Sequence, residues 1–238
     1  MEEKINNLKD IINSSNNIVF FGGAGVSTES GIPDFRSKDG LYNQKYKYPP
    51  EMILSHTFFL NNTEEFYKFY KEKMNSLKYK PNITHNVLSR LEKEGKLKAV
   101  ITQNIDGLHQ KAGSKAVYEL HGSVLRNYCM KCRKKYNAEY IFSSEGVPKC
   151  SCGGIIKPDV VLYEEPLNEF VVDEAVEKIS TADTLIIGGT SLTVYPASGL
   201  INYFKGKSLV LINRDVTPFD NIASLVINES LGKVFEKI

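Results

Sequence analysis

Two short cysteine pairs are the plainest chemical signal in this chain. Cys129-Met130-Lys131-Cys132 and Cys150-Ser151-Cys152 hold all four cysteines of the 238 residues. Two close pairs with residues 133–149 between them form the two-knuckle arrangement of a structural zinc ribbon. Four thiolates would fill a tetrahedral zinc and leave no open position, so such a metal stabilises the fold and takes no part in catalysis. The second pair is C-x-C, a tighter arm than the commoner C-x2-C. A second group of reactive types sits where apolar runs end. Gly22-Gly23-Ala24-Gly25 follows Ile18 to Phe21, and Ser27, Thr28 and Ser30 come next. A strand that turns through small residues into a helix N-terminus exposes backbone N–H groups, a site for phosphate; it can equally be a tight turn and nothing more. Asp34, Phe35 and Arg36 then place an acid, a ring and a guanidinium in one loop behind Pro33.

Further strand ends repeat the design. Lys98 to Thr102 delivers Gln103, Asn104, Ile105 and Asp106, either ligand-binding amides and a carboxylate or an Asx turn with a helix cap. Val117 to Leu120 delivers His121-Gly122, where an imidazole can serve as a general base or as a satisfied turn residue. Thr184 to Leu192 ends in Gly189-Thr190-Ser191, a small-residue turn with two hydroxyls suited to ribose or phosphate. Ser208 to Ile212 ends in Asn213, and Ala223 to Ile227 reads as the last strand.

The elements that must hold these residues follow from periodicity. Ile5, Leu8, Ile11 and Ile12 predict an amphipathic helix over residues 2–13. Asn82 or Thr84 can cap a helix that Gly95 ends, with His85 as a hydrogen-bonding group near its start. Phe170 to Ile179 predicts another. Between Asp39 and Lys80 the composition shifts to Tyr, Phe and Lys, and Phe58, Phe59, Phe66, Tyr67, Phe69, Tyr70 and Met74 recur on helical periods. That stretch reads as a helical insertion packed on the main domain. Strands alternating with helices, with polar residues at the strand ends, predict an α/β fold: a Rossmann-type doubly wound parallel sheet with a small zinc-ribbon module and a helical insertion. The expected division is residues 1–35, 84–122 and 157–238 for the Rossmann-like domain, 36–83 for cofactor loop and insertion, and 123–156 for the zinc module. Residues 155–163 are expected to return the chain to the main sheet, with Pro158 barred from an interior ladder position.

Composition excludes several classes. A formal net charge of +2 with 24% charged and 42% hydrophobic residues suits an ordinary globular protein with no strongly electrostatic partner. That charge neither demands nor excludes nucleic acid, the longest apolar runs are far short of a membrane span, and no nucleic-acid or membrane partner is expected. The polar start MEEKINNLKD is no secretory signal, and reduced cysteines fit a cytoplasmic protein.

The motifs together resemble the sirtuin (Sir2-like) family of NAD-dependent protein lysine deacylases, in its bacterial form. The matching stretches are Gly23-Ala24-Gly25-Val26-Ser27 with Gly31 to Arg36, Thr102 to Gly113, His121-Gly122 and Gly189-Thr190-Ser191. The resemblance implies NAD as co-substrate, one structural zinc, and acetylated-lysine proteins or peptides as partners. Products would be nicotinamide, O-acetyl-ADP-ribose and free lysine. It implies cofactor contacts at Ala24, Thr28, Asp34, Phe35, Arg36, Gln103, Asn104, Ile105, Asp106, Gly189, Thr190, Ser191, Asn213 and Leu231. His121 would be the base on a ribose hydroxyl, with Asn104 and Asp106 beside it as catalytic groups, and His109 structural. Val160, Val161, Leu162 and Tyr163 would pair with the substrate peptide as an added strand. Glu164 and Glu165 would then either favour lysine-rich peptides or form a solvated loop. Desuccinylating members carry Tyr-x-x-Arg where this chain reads Tyr67-Lys68-Phe69-Tyr70. A buried carboxylate with no cation is costly, so acetyl or apolar acyl groups are expected. A monomer is expected. Two other classes remain open to test: an ADP-ribosyltransferase, and a zinc-ribbon binding protein without turnover.

Overall fold

The fold is described from a computed structural model, covering residues 1–35, 40 and 45–238. Six parallel strands form the main sheet: β1 (Ile18–Gly22), β2 (Leu97–Thr102), β3 (Val117–Glu119), β7 (Thr184–Gly188), β8 (Ser208–Ile212) and β9 (Leu225–Ile227), in the order β3-β2-β1-β7-β8-β9. All five residues of β1 and of β7 are buried, as a parallel sheet covered on both faces requires. Side chains alternate between the faces. Ile18, Phe20, Val100 and Ile186 join the core under α1 (Glu2–Ser14), α5 (Ile83–Lys93) and α9 (Leu231–Phe235). Val19, Phe21, Ile101 and Ile187 join the core under α8 (Glu169–Thr181) and a 3₁₀ helix, Ala197–Tyr203. Strand order reverses between β1 and β7, which pair from Ile18↔Thr184 to Gly22↔Gly188. The crevice beyond their carboxyl ends is where such sheets bind ligands.

A second lobe has its own core. The antiparallel strands β4 (Gly122–Cys129), β5 (Lys135–Asn137) and β6 (Ile156–Val160) lie in the order β5-β4-β6. They pack with α7 (Ala138–Ser143) against α2 (Pro50–Ile53), α3 (His56–Asn61) and α4 (Thr63–Lys73). One cluster joins Phe59, Phe66, Tyr67 and Tyr70 of the helices to Val124, Cys129, Ile141 and Ile156 of the cysteine module. The aromatic helices thus meet that module, where the sequence pointed to the main domain. Each part is too small for a sizeable core alone, and together they share one.

Two further expectations are corrected. Residues 156–160 belong to the small sheet and not to the main one. Pro158 is tolerated there because the β4–β6 register slips between Ser123 and Asn127, and Pro158 sits at that irregularity on an edge strand. After β1 the chain forms two short 3₁₀ turns, Ala24–Val26 and Thr28–Ser30, with no α-helix. Ser27 makes no capping bond, because its hydroxyl is bound to Asp106, and Gly31 in the left-handed region (φ +90°) ends the second turn.

The start of α5 behaves as predicted and carries a pH device. Asn82 and His85 form a capping box, and the Asn82 amide also donates to the Val26 carbonyl and Ser30 hydroxyl. His85 and His109 are both buried with ring centroids 4.7 Å apart. Burial pushes His85 down to about 4; burial, then repulsion from His85, pushes His109 down to about 3. Both are neutral in the fold, whereas the unfolded chain takes up protons near pH ~6.5. Their contribution to stability is therefore complete above that value and lost as pH falls through about 4 towards about 3. The upper bound is about 1.4 kcal/mol per pH unit per histidine. Thermal melts should show Tm falling across this window, less steeply in His109→Gln; equal slopes for both proteins would contradict the buried neutral pair.

Candidate active site

Five polypeptide segments leave the carboxyl ends of β1, β2, β3, β7 and β8 and line one cavity of about 620 Å³. The two glycine turns interlock. A Cβ on Gly25 would stand 2.7 Å from the Gly189 Cα, and Gly189 adopts φ +61°. Gly25 donates its N–H to the Gly189 carbonyl at 2.8 Å. Backbone is packed on backbone here, so the small residues are a steric necessity, and the two turns form one cradle at the cavity.

Beside this cradle runs a chain of hydrogen bonds. The Asn104 amide donates to Ser27 Oγ (3.1 Å), and Ser27 donates to Asp106 Oδ2 (2.7 Å). Asp106 Oδ1 accepts from the Leu108 N–H at 2.8 Å. Burial raises the Asp106 pKa, and the Leu108 and Ser27 donors hold it back. Gln103 Nε2 donates to Thr190 Oγ1 (3.1 Å), which joins β2 to β7 across the sheet's switch point. These bonds fix the amide and carboxylate orientations in advance, at no reorganisation cost during reaction.

His121 completes the site. Its Nδ1 lies 2.9 Å from the Gln103 carbonyl oxygen, so Nδ1 carries the proton and Nε2 keeps a lone pair. Burial lowers its pKa, and the Gln103 carbonyl pulls the other way. An imidazole neutral at pH ~7 with one nitrogen committed to the backbone is a prepared base. Gly122 follows in the left-handed region (φ +74°), where a Cβ would stand 2.0 Å from the Asp159 carbonyl oxygen. Only glycine lets β6 come this close behind the histidine.

The sequence-predicted residues meet here. Ala24, Thr28, Asp34 and Phe35 line the cavity, with Gln103, Asn104, Ile105, Asp106 and His121. So do Gly189, Thr190, Ser191, Asn213 and Leu231, and on another side Val160 to Tyr163. Arg36 lies outside the described residues. Glu165 is no solvated loop residue: it pairs with Lys157 (3.1 Å) and His56 (2.7 Å) and accepts the Leu162 N–H. Glu164 accepts from the Thr57 N–H. Both acids therefore brace the 161–163 segment. Sequence reasoning missed the hub role of Ser27, which its place in the first motif could have signalled. It also missed Met74 as a cavity residue, since an apolar run on helical periods reads as plain core; Tyr70 lines the cavity, where the resemblance sets it in place of an acyl-reading arginine.

The four cysteine sulfurs lie within 4.8 Å of one another, with Cys129–Cys152 at 3.5 Å and Cys132–Cys150 at 3.6 Å. Zinc bonded to sulfur at ~2.3 Å needs sulfurs roughly 3.8 Å apart, so the set fits one tetrahedral structural zinc. The C-x-C arm closes through a turn at Gly153, whose N–H donates to the Cys150 carbonyl (2.9 Å).

The profile of the Sir2 family matches residues 23–196. The chain belongs to the Sir2 family. Sir2 relatives run the full length of the chain. A protein of Clostridium perfringens called "NAD-dependent protein deacetylase" is 63% identical over 100% of this chain and 99% of its own. One of Clostridium acetobutylicum with the same name is 62% identical over 99% and 98%. A solved Sir2 histidine-to-alanine variant with deacetylated p53 peptide and 3′-O-acetyl-ADP-ribose superposes with TM-score 0.91 at 42% identity, covering 98% of this chain and 96% of that one. A Sir2 complex with p53 peptide and NAD gives 0.86 at 42% identity, with the same coverage. This Sir2 protein is an NAD-dependent protein deacetylase; NAD is its co-substrate, and its four clustered cysteines fit one structural zinc.

Proposed function

We propose that His121 is the base of this deacetylation and that Asn104 and Asp106 hold the reacting ribose beside it. The observation carrying this reading is the His121 ring, tied through Nδ1 to the Gln103 carbonyl within the cavity that both glycine turns line. When bound, NAD supplies the sugar carbon that takes the acyl oxygen as nicotinamide leaves. The glycine turns at Ala24 and Gly189, with Thr28, Thr190 and Ser191, would hold the pyrophosphate and ribose. Asn213 and Leu231 would meet the adenosine end. Phe35, with Asp34 and Arg36 beside it, would exclude water from the reacting carbon. His121 Nε2 would take the proton from the ribose hydroxyl that captures the acyl group.

The acetyl-lysine peptide would lie along residues 160–163. The Val161 N–H is taken by the His121 carbonyl and the Tyr163 N–H by the Leu54 carbonyl, at 3.0 and 2.9 Å. The segment is thereby held extended beside the base. The reading extends to a monomeric, cytoplasmic protein with the three-part division given above, except that residues 156–160 go with the zinc module. Among the described residues no helix is long and apolar enough to cross a membrane.

The acyl group would enter past Val160 and Leu162 towards Tyr70 and Met74. Lys73 also lines the cavity, and its ammonium is paired with Glu72 at 2.9 Å. A distal carboxylate would be buried beside neutral phenol and thioether groups, at a cost of several kcal/mol. Acetyl-lysine peptide should therefore be turned over at least about tenfold faster than succinyl-lysine peptide. Comparable kcat/KM values by mass spectrometry would overturn this assignment of the acyl channel.

A further inference from the structure

Tyr70 is a buried polar residue at this site that the reaction leaves unused. It is 1% exposed, it lines the cavity, and its hydroxyl has no hydrogen-bond partner among the described residues. Its neighbour Tyr67 is different, with a hydroxyl that donates to the Ile156 carbonyl. Leaving a buried hydroxyl unpaired costs about 1–3 kcal/mol, and a chain folded only for stability would use phenylalanine. The ring cannot swing to find a partner. It is stacked on Phe66 (centroids 5.5 Å, planes 16° apart) and on Phe142 (5.8 Å, 2°). Burial, then the neighbouring Tyr67, raises its pKa well above the usual phenol range, so it stays a neutral donor. Met74, Ile105, Val160 and Leu162 belong both to the cavity and to the core of the second lobe or its margin; of the polar residues next to Tyr70 along the chain, Lys73 is paired with Glu72 and Ser76 donates to the Asp106 carbonyl.

A fixed, neutral, unpaired donor beside Met74, Val160 and Leu162 selects for one kind of acyl group. It must be short enough to fit, uncharged, and must carry an oxygen beyond the amide carbonyl. We propose that Tyr70 is a specificity-determining residue that hydrogen-bonds the hydroxyl of short hydroxyacyl-lysines, making these a preferred substrate class over the matching alkyl acyl-lysines. The flexible Met74 thioether gives way to let the acyl oxygen reach the phenol. The reaction is unchanged: hydroxyacyl-lysine peptide, NAD and water become lysine peptide, nicotinamide and O-hydroxyacyl-ADP-ribose. The ribose C1′–nicotinamide bond breaks as the acyl oxygen bonds to that carbon, the acyl amide C–N bond breaks to free the lysine amine, the acyl group passes to a ribose oxygen, and water supplies the acyl carbonyl oxygen in place of the one left on the sugar. The proposal rests on the deacylase reading of the cavity.

The test compares one peptide carrying acetyl-, butyryl- or 3-hydroxybutyryl-lysine, both enantiomers of the last, with wild type and Tyr70→Phe. A neutral hydrogen bond is worth about 3- to 10-fold in kcat/KM. Wild type should prefer the better hydroxybutyryl enantiomer over butyryl by that factor, and Tyr70→Phe should bring the ratio to about one or below. Tyr70→Phe should also melt no lower than wild type, because it removes an unpaired hydroxyl and keeps the ring. A wild-type ratio of one, a ratio unchanged in the variant, or a clear drop in its Tm would overturn the proposal while acetyl turnover leaves the deacylase reading standing. Absence of acetyl turnover in wild type would overturn both.

Discussion

His121→Ala should leave an acetyl-lysine peptide at its original mass after incubation with NAD, whereas wild-type enzyme with NAD removes the acetyl group. Without NAD neither protein should change it. A positioned general base is worth roughly 10²–10⁴-fold, so the residual rate falls by at least that range. The argument rests on how the ring is held. Its Nδ1 is committed to the Gln103 carbonyl at 2.9 Å, which assigns the free lone pair to Nε2. Burial lowers the imidazole pKa, so the base is unprotonated at neutral pH and loses activity only as pH falls below the ordinary histidine value. The acid limb of kcat/KM should accordingly lie below pH ~6.5. Turnover by His121→Ala within about tenfold of wild type would transfer the role to another group, and Asp106 would be the first to examine.

Cys150→Ser should release the zinc and unfold the lobe it ties together. Three thiolates and a hydroxyl hold zinc far more weakly than four thiolates, and structural zinc contributes on the order of 10 kcal/mol in small modules. The effect should spread, because Cys129 and Cys150 belong to the same buried cluster as Phe59, Phe66, Tyr67 and Tyr70. At roughly 2–4 °C per kcal/mol for a chain of this size, a net loss of about 4 kcal/mol already lowers Tm by about 10 °C. Metal content by mass spectrometry and a thermal melt decide it together. The Cys150 thiolate does not line the cavity, so NAD binding should weaken through loss of the wall that α4 supplies. A variant that kept stoichiometric zinc and melted normally would refute the four-thiolate site.

Much of this protein was legible before any coordinates. Backbone necessity writes itself into residue type: Gly25 and Gly189 are small because two turns touch, and Gly122 because β6 passes against it. Metal chemistry does the same for the four cysteines. The unbroken apolar run Ile18 to Phe21, wholly buried, and the capping residue Asn82 are local signals, and local signals survive in sequence. The residues by themselves thus determined the parallel sheet, the four-cysteine module and which polar residues stand at the strand ends.

What only tertiary structure decided is how separate segments meet. Ser27 reads as a cap, yet it bridges Asn104 and Asp106 from 77 and 79 residues away. Glu165 reads as a peptide-selecting or solvated acid, yet Lys157 and His56 pair with it as a brace. Residues 156–160 read as a return to the main sheet, yet they pair with β4. Met74 reads as core, yet it lines the cavity. In each case the side chain's own chemistry allows either outcome. The choice is made by which partner the folded chain brings within about 3 Å, and no local pattern encodes that.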